Sequence, residues 1–81
     1  MWIEKDNSLQ ATFKFKDFIT AFSFMTEVAF NVEKQNHHPT WENTYNTVKI
    51  ILTTHDEGNT ITEKDRKLAK AILEIYEGRN S

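Results

Sequence analysis

Three histidines, His37, His38 and His55, are the only imidazoles in the 81-residue chain. They fall in two short segments, "EKQNHHPTW" (Glu33 to Trp41) and "TTHDEGNT" (Thr53 to Thr60). Imidazole has an unperturbed pKa of about 6.5, so it can give or take a proton near neutrality. Three such groups suit acid–base chemistry. Two other roles compete. Histidine at a helix C-terminus suits the macrodipole, which accounts for His37, less well for His38, and not for His55. Three histidines can also hold zinc with an open fourth position. Adjacent residues of an extended chain point in different directions, however, so His37 and His38 make a poor pair of ligands for one ion. The residue types alone leave all three roles open.

Glu33 and Asp65 are the carboxylates whose spacing could serve these imidazoles. Each also has a plain use, Glu33 as a solvated helix residue and Asp65 as a first-turn acid of its helix. Trp41 and Tyr45 are either sheet core or walls of a flat pocket for an aromatic ligand.

Positioning such groups falls to a small scaffold. A chain of this length buries only about 60% of the surface its unfolded form exposes. It has no cysteine, so neither a disulfide nor a thiolate metal site is available. Self-association is the remaining support for a thin core. The formal charge of −2 and the absence of a basic stripe give no sign of a nucleic-acid partner. The N-terminus lacks the pattern of a signal peptide, and the longest aliphatic run, Ile50-Ile51-Leu52, is far too short to span a bilayer. A soluble, cytoplasmic protein is expected.

Trp2 to Lys5 reads as a short strand and Asp6 to Ser8 as a turn. Leu9, Ala11, Phe13 and Phe15 alternate with polar residues, the period of a half-buried strand hairpinned to the first. Asp17 is an N-cap for a helix from about Phe18 to Lys34. Phe18, Phe22, Met25, Ala29 and Val32 form one apolar stripe. Phe24 and Phe30, with Ala21 and Val28, make the helix more apolar than one buried face requires; the excess is read as a subunit contact, with a wide core face and some exposed phenylalanine as the alternative. Pro39 keeps His38 extended. Trp41 to Tyr45 and Thr47 to Thr54 read as strands about a tight turn at Tyr45-Asn46, with Val48, Ile50 and Leu52 on one face. Thr62 caps a last helix in a pattern close to a capping box with Asp65. Leu68, Ala69, Ile72, Ile75 and Tyr76 form its buried stripe, and "EGRNS" its frayed end. The order β-β-α-β-β-α predicts an α+β, two-layer domain spanning 1–81, a four-stranded antiparallel sheet with both helices on one face.

Taken as spacing, the polar residues read Glu33-x3-His37-His38-Pro39-x5-Tyr45-x9-His55-x9-Asp65. This ordered set resembles the signature of the pterin-4a-carbinolamine dehydratases. The flanks "FKFKDFITAFSFMTEVAF", "EKQNHHPTWENTYNTVKIILTTH" and "TEKDRKLA" resemble the same family. The resemblance runs from Trp2 to the last helix. Longer members carry an N-terminal helical extension, which is not expected here. Many members have two glycines in the loop after His55, where "DEGNT" has one.

The resemblance implies a reaction. Water is eliminated from the 4a-hydroxytetrahydropterin left by aromatic amino acid hydroxylases, giving quinonoid dihydropterin within tetrahydrobiopterin recycling. No metal and no cofactor are implied. His37 and His38 would act as general acids on either face of C4a, and His55 as base or substrate orienter. Glu33 and Asp65 would orient the imidazoles or stabilise their charged form. His37, His38, Pro39, Trp41, Thr54, His55, Asp56 and Glu57 would line the pterin site. The resemblance further implies a homotetramer or dimer. A second implied role is a non-catalytic interaction module, since some animal members are dimerisation cofactors of a homeodomain transcription factor. A hydroxylase is the implied pathway partner.

Overall fold

A computed structural model describes residues 1–79. The chain runs β1 (Ile3–Lys5), β2 (Ser8–Lys14), α1 (Phe18–Gln35), β3 (Thr40–Thr44), β4 (Thr47–Leu52), a single 3₁₀ turn (His55–Glu57) and α2 (Glu63–Arg79). The four strands form one antiparallel sheet in the order β1-β2-β4-β3. This is the expected α+β arrangement.

Both hairpins turn on residues with positive φ. Asp6 and Asn7 sit at φ 52° and 60°, as a two-residue loop matching the strands' twist demands. The second turn places Tyr45 at φ 50°. Strand register follows from the alternation. Leu9 lies opposite Leu52, Ala11 opposite Ile50, and Phe13 opposite Val48. All six face inward and are at most 5% exposed. Cross-strand apolar pairs of this kind pin a sheet's register, because a one-residue slip would turn the whole set to solvent.

Both helices cover that face. Phe24 of α1, Phe13 and Phe15 of the sheet side and Tyr76 of α2 form one aromatic cluster, with ring centroids 4.9–6.0 Å apart. The buried stripe of α1 is Ala21, Phe24, Val28 and Val32. This corrects the stripe expected from sequence: Phe24 is core, while Phe18 and Phe22 are exposed. The helix is apolar on most sides, so periodicity alone did not select the face that meets the sheet.

The caps form as read. Asp17 Oδ1 accepts the Thr20 N–H at 2.8 Å, and the Thr20 side chain together with that N–H holds the Asp17 carboxyl below its ordinary pKa. On α2, the Thr62 N–H donates to Asp65 Oδ2 at 2.9 Å, and Thr62 Oγ1 accepts the Lys64 N–H at 3.3 Å. The expected fraying from Glu77 does not occur within the described residues. The helix continues to Arg79, whose guanidinium is tied to Glu27 and Ser23 of α1. Asn80 and Ser81, the rest of that expectation, lie outside the described residues. Among the described residues, no helix is long and apolar enough to cross a membrane.

Candidate active site

α1 ends in a Schellman motif. Asn36 takes the left-handed conformation (φ 52°, ψ 44°). Its N–H donates to Glu33 O, and the His37 N–H donates to Val32 O, each at 3.2 Å. These bonds satisfy carbonyls that a helix end otherwise leaves unpaired. They also fix the direction in which His37 leaves the helix, before Pro39 leads into β3. Asn36→Val, which forces a β-branched residue into that conformation, is expected to cost about 1–2 kcal/mol. Asn36→Gly should stay within a few tenths. Urea denaturation of the two variants checks this.

His37 reaches across to the first turn of α2. Its Nε2–H donates to Asp65 Oδ1 at 2.6 Å. Asp65 is fully buried. Its other oxygen, Oδ2, accepts from the Thr54 hydroxyl at 2.7 Å and from the Thr62 N–H at 2.9 Å. Because the Thr54 proton goes to Asp65, the Thr62 hydroxyl donates to Thr54 Oγ1, at 2.7 Å. Every bond in this network therefore has an assigned direction, and all of them run toward one carboxylate. Among the described residues no buried side-chain nitrogen or oxygen lacks a partner.

Burial pushes the Asp65 carboxyl upward. The bonds from His37, Thr54 and the Thr62 N–H outweigh it and hold the carboxyl below its ordinary value. The consequence for stability has a definite sign. With a folded pKa below the unfolded one of about 3.9, the contribution of Asp65 is complete above the unfolded value. It is lost as pH falls through the folded value. Urea titrations from about pH 5 down to about pH 2 should show wild-type stability falling more steeply than that of Asp65→Asn, whose side chain does not titrate.

His38 is more exposed. Its Nε2–H donates to Glu33 Oε1 at 3.0 Å, with side-chain exposures of 58% and 80%. His55 opens the 3₁₀ turn after β4, and its Nδ1 lies 2.7 Å from Asn59 Oδ1. An amide oxygen only accepts, so Nδ1 carries the proton and Nε2 is the free acceptor of the neutral ring. Gly58 at φ 78° and Asn59 at φ 58° bring the chain back to this contact, and a Thr54–Thr60 bridge closes the loop.

One cleft of about 200 Å³ gathers these groups. It is lined by Asn36, His37, His38, Thr53, Thr54, His55, Asp56 and Lys64. The three histidines, from two separate segments, thus share one wall system. Glu33 and Asp65 stand behind it as partners of His38 and His37. Thr54 is at the cleft, but its hydroxyl is committed to Asp65. Pro39, Trp41 and Glu57 are not part of this lining; Trp41 packs against the hydrophobic core instead. Tyr45 lies exposed at the β3–β4 turn. Asn36, Thr53, Asn59 and Lys64 were not singled out from sequence, and Thr62 was read only as a helix cap. Their legible signals were an asparagine directly after the helix and the Gly58-Asn59 pair. Among the described residues, no three His, Asp or Glu side chains are grouped so as to hold a metal ion.

A two-layer sheet-and-helix fold with carboxylate-held histidines at one cleft defines a class of small α+β protein with acid–base potential. Comparison with known proteins narrows the class. The chain matches the family described as pterin 4 alpha carbinolamine dehydratase over residues 1–75, and it belongs to that family. A Prochlorococcus marinus (strain MIT 9515) protein, named provisionally as a pterin-4-alpha-carbinolamine dehydratase, is 54% identical over 76 residues. That match covers 94% of this chain and 78% of the relative. A provisionally named relative from Christiangramia forsetii is 46% identical over 79 residues, covering 98% and 80%. The crystal structure of a transcriptional coactivator/pterin dehydratase from Brucella melitensis superimposes with a TM-score of 0.88 at 45% identity, covering 93% of this chain and 81% of that one. A pterin dehydratase-like protein described as a RuBisCO assembly factor of the alpha-carboxysome shares the fold, with a TM-score of 0.75 at 21% identity and coverage of 94% and 87%.

Proposed function

We propose that the chain is a dehydratase that eliminates water from a 4a-hydroxytetrahydropterin by histidine acid–base catalysis. The observation that carries this reading is the shared cleft of His37, His38 and His55, each held through one ring nitrogen by an oxygen acceptor. Holding one nitrogen orients the ring and leaves the other for proton transfer.

The reaction is redox-neutral. The C4a–O bond breaks as an imidazolium protonates the departing hydroxyl, and water leaves. A ring N–H proton passes to a neutral imidazole, giving the quinonoid dihydropterin. Both steps need groups that exchange protons near neutrality, and neither calls for a metal or a redox cofactor. His38 and His37 serve as acids toward the two faces of C4a. His55, with Nε2 free to accept, serves as base. Asp65 and Glu33 fix the rings of His37 and His38. An aromatic amino acid hydroxylase would supply the substrate.

Binding tests the site directly. A stable 7,8-dihydropterin titrated into ¹⁵N-labelled protein should move the imidazole signals of His37, His38 and His55 together. Binding that leaves all three unmoved would place the pterin elsewhere and contradict the reading.

A second reading, protein interaction, has its own observation. Phe18, Ile19 and Phe22 on the outer side of α1 are 46%, 78% and 52% exposed, and with Ser23 they line an apolar hollow of about 360 Å³. A contiguous exposed apolar patch marks a contact surface. The solved relative from Brucella melitensis carries "transcriptional coactivator" in its description. For this chain we favour a second copy as the occupant, since a small core gains from association. Sedimentation should show an oligomer at low micromolar concentration and a shift toward monomer in Phe22→Lys. A wild-type monomer would contradict self-association.

A further inference from the structure

Beside the histidine cleft lies a second hollow, of about 470 Å³, between the end of α1 and the start of α2. It is lined by Asn31, Lys34, Gln35, His37, Lys64 and Lys67. Every one of these side chains can donate a hydrogen bond, and none is a carboxylate. Three of the ten basic residues of a chain with net charge −2 are gathered here. No ion pair ties Lys34, Lys64 or Lys67 among the described residues; of the acids nearby in sequence, Glu33 is engaged with His38 and Asp65 with His37, while Glu63 stands beside Lys64 in the first turn of α2 but outside the lining of the hollow. Lys64 also stands in the first turn of α2, where positive charge opposes the helix dipole. A local field of this sign, in a concavity of small-ligand size, attracts anions.

The hollow adjoins the proposed catalytic cleft, since His37 and Lys64 line both. A side chain on a ring held at the histidines would have to pass only His37 and Lys64 to place its far end among the lysines. We infer that this hollow is a specificity subsite for an oxyanion, of the phosphate-monoester class, carried on the side chain of the pterin substrate. The inference rests on the pterin reading above and adds the chemical class of the substrate's side chain to it. A compact ammonium is suited to meeting phosphate as a point charge, and three of them at one hollow favour a dianion over a neutral hydroxyalkyl group.

The test compares two probes, a dihydropterin with a neutral trihydroxypropyl side chain and the terminal phosphate monoester of the same compound. Affinities are measured by calorimetry for the wild type and for the double variant Lys34→Gln/Lys67→Gln. Both substitutions are at exposed positions outside the histidine cleft. The monoester is expected to bind about tenfold more tightly at low salt, a preference that shrinks with added salt. The double variant should lose the preference while keeping its affinity for the neutral compound. Inorganic phosphate should compete away only the excess affinity of the monoester. Equal affinity for the two compounds, or a preference that survives the double variant, overturns the subsite and leaves the pterin reading intact. Phosphate that binds as tightly as the monoester shows a free-anion site and overturns the linked one. If neither pterin binds, the pterin reading fails and the subsite falls with it.

Discussion

Replacing His38 with alanine should leave the fold intact and remove most of the dehydration rate. The structural cost is small because the His38–Glu33 pair is exposed on both sides, and exposed ion pairs contribute roughly 0–1 kcal/mol. The catalytic cost is large because a positioned acid–base group contributes about 10²–10⁴-fold. A fall of about a hundredfold or more in kcat, with Tm within a degree or two of wild type, is the expected result. Unchanged kcat in a folded variant would remove His38 from the chemistry. Comparing His37→Ala sharpens the test, because His37 is both catalytic in this account and part of the Asp65 network. That variant should lose rate and stability together.

The second large effect is on stability. Asp65→Ala deletes the acceptor for the His37 ring, the Thr54 hydroxyl and the Thr62 N–H. Breaking a buried, hydrogen-bonded charged arrangement by removing one partner costs about 3–5 kcal/mol. Domains of this kind have about 0.05–0.15 kcal/mol per residue in reserve, so the loss is a large share of the total. The network joins the start of α2, the segment after β4 and the segment after α1. Its removal should therefore loosen the histidine cleft and the helix cap at once. Asp65→Asn keeps the shape and one acceptor oxygen but loses the charge. It should unfold at lower denaturant concentration than wild type and higher than Asp65→Ala. Equal midpoints for wild type and Asp65→Ala would show that the network contributes nothing to the folded state.

Most of the scaffold was legible in the sequence because its signals are local. The alternation through Leu9 to Phe15 and through Val48, Ile50 and Leu52 states which face is buried, and the sheet obeys it. Asp17 and Thr62 mark helix starts because their oxygens meet backbone N–H groups within three residues. Other features depend on tertiary partners. The inward face of α1 was misread because Phe18, Phe22, Phe24 and Phe30 surround the helix, and only contact with Phe13, Phe15 and Tyr76 decides that Phe24 is core. The segment from Glu77 reads as a frayed end of α2, but Arg79 is tied to α1 and the helix continues.

The candidate site divides in the same way. The three histidines stood out by type and order. The pairing of His37 with Asp65, 28 positions apart, is a property of the fold rather than of either segment. The direction of the Thr62–Thr54–Asp65 chain and the tautomer of His55 were likewise invisible before the partners were placed. Asn36 and Asn59 carry left-handed backbone at the two loops that aim the histidines. Asparagine tolerates that conformation better than most residues, and the place of Asn36 directly after a helix and of Asn59 beside Gly58 is the local sign of it.

The central claim is that this cleft dehydrates a 4a-hydroxytetrahydropterin. The most direct measurement generates that compound in situ with an aromatic amino acid hydroxylase and follows its loss by ultraviolet absorbance, in chelator, with and without the protein. The account predicts a rate that rises in proportion to protein concentration and falls back to the spontaneous rate in the His37→Ala/His38→Ala/His55→Ala triple variant. A folded wild-type protein that leaves the spontaneous rate unchanged would contradict it.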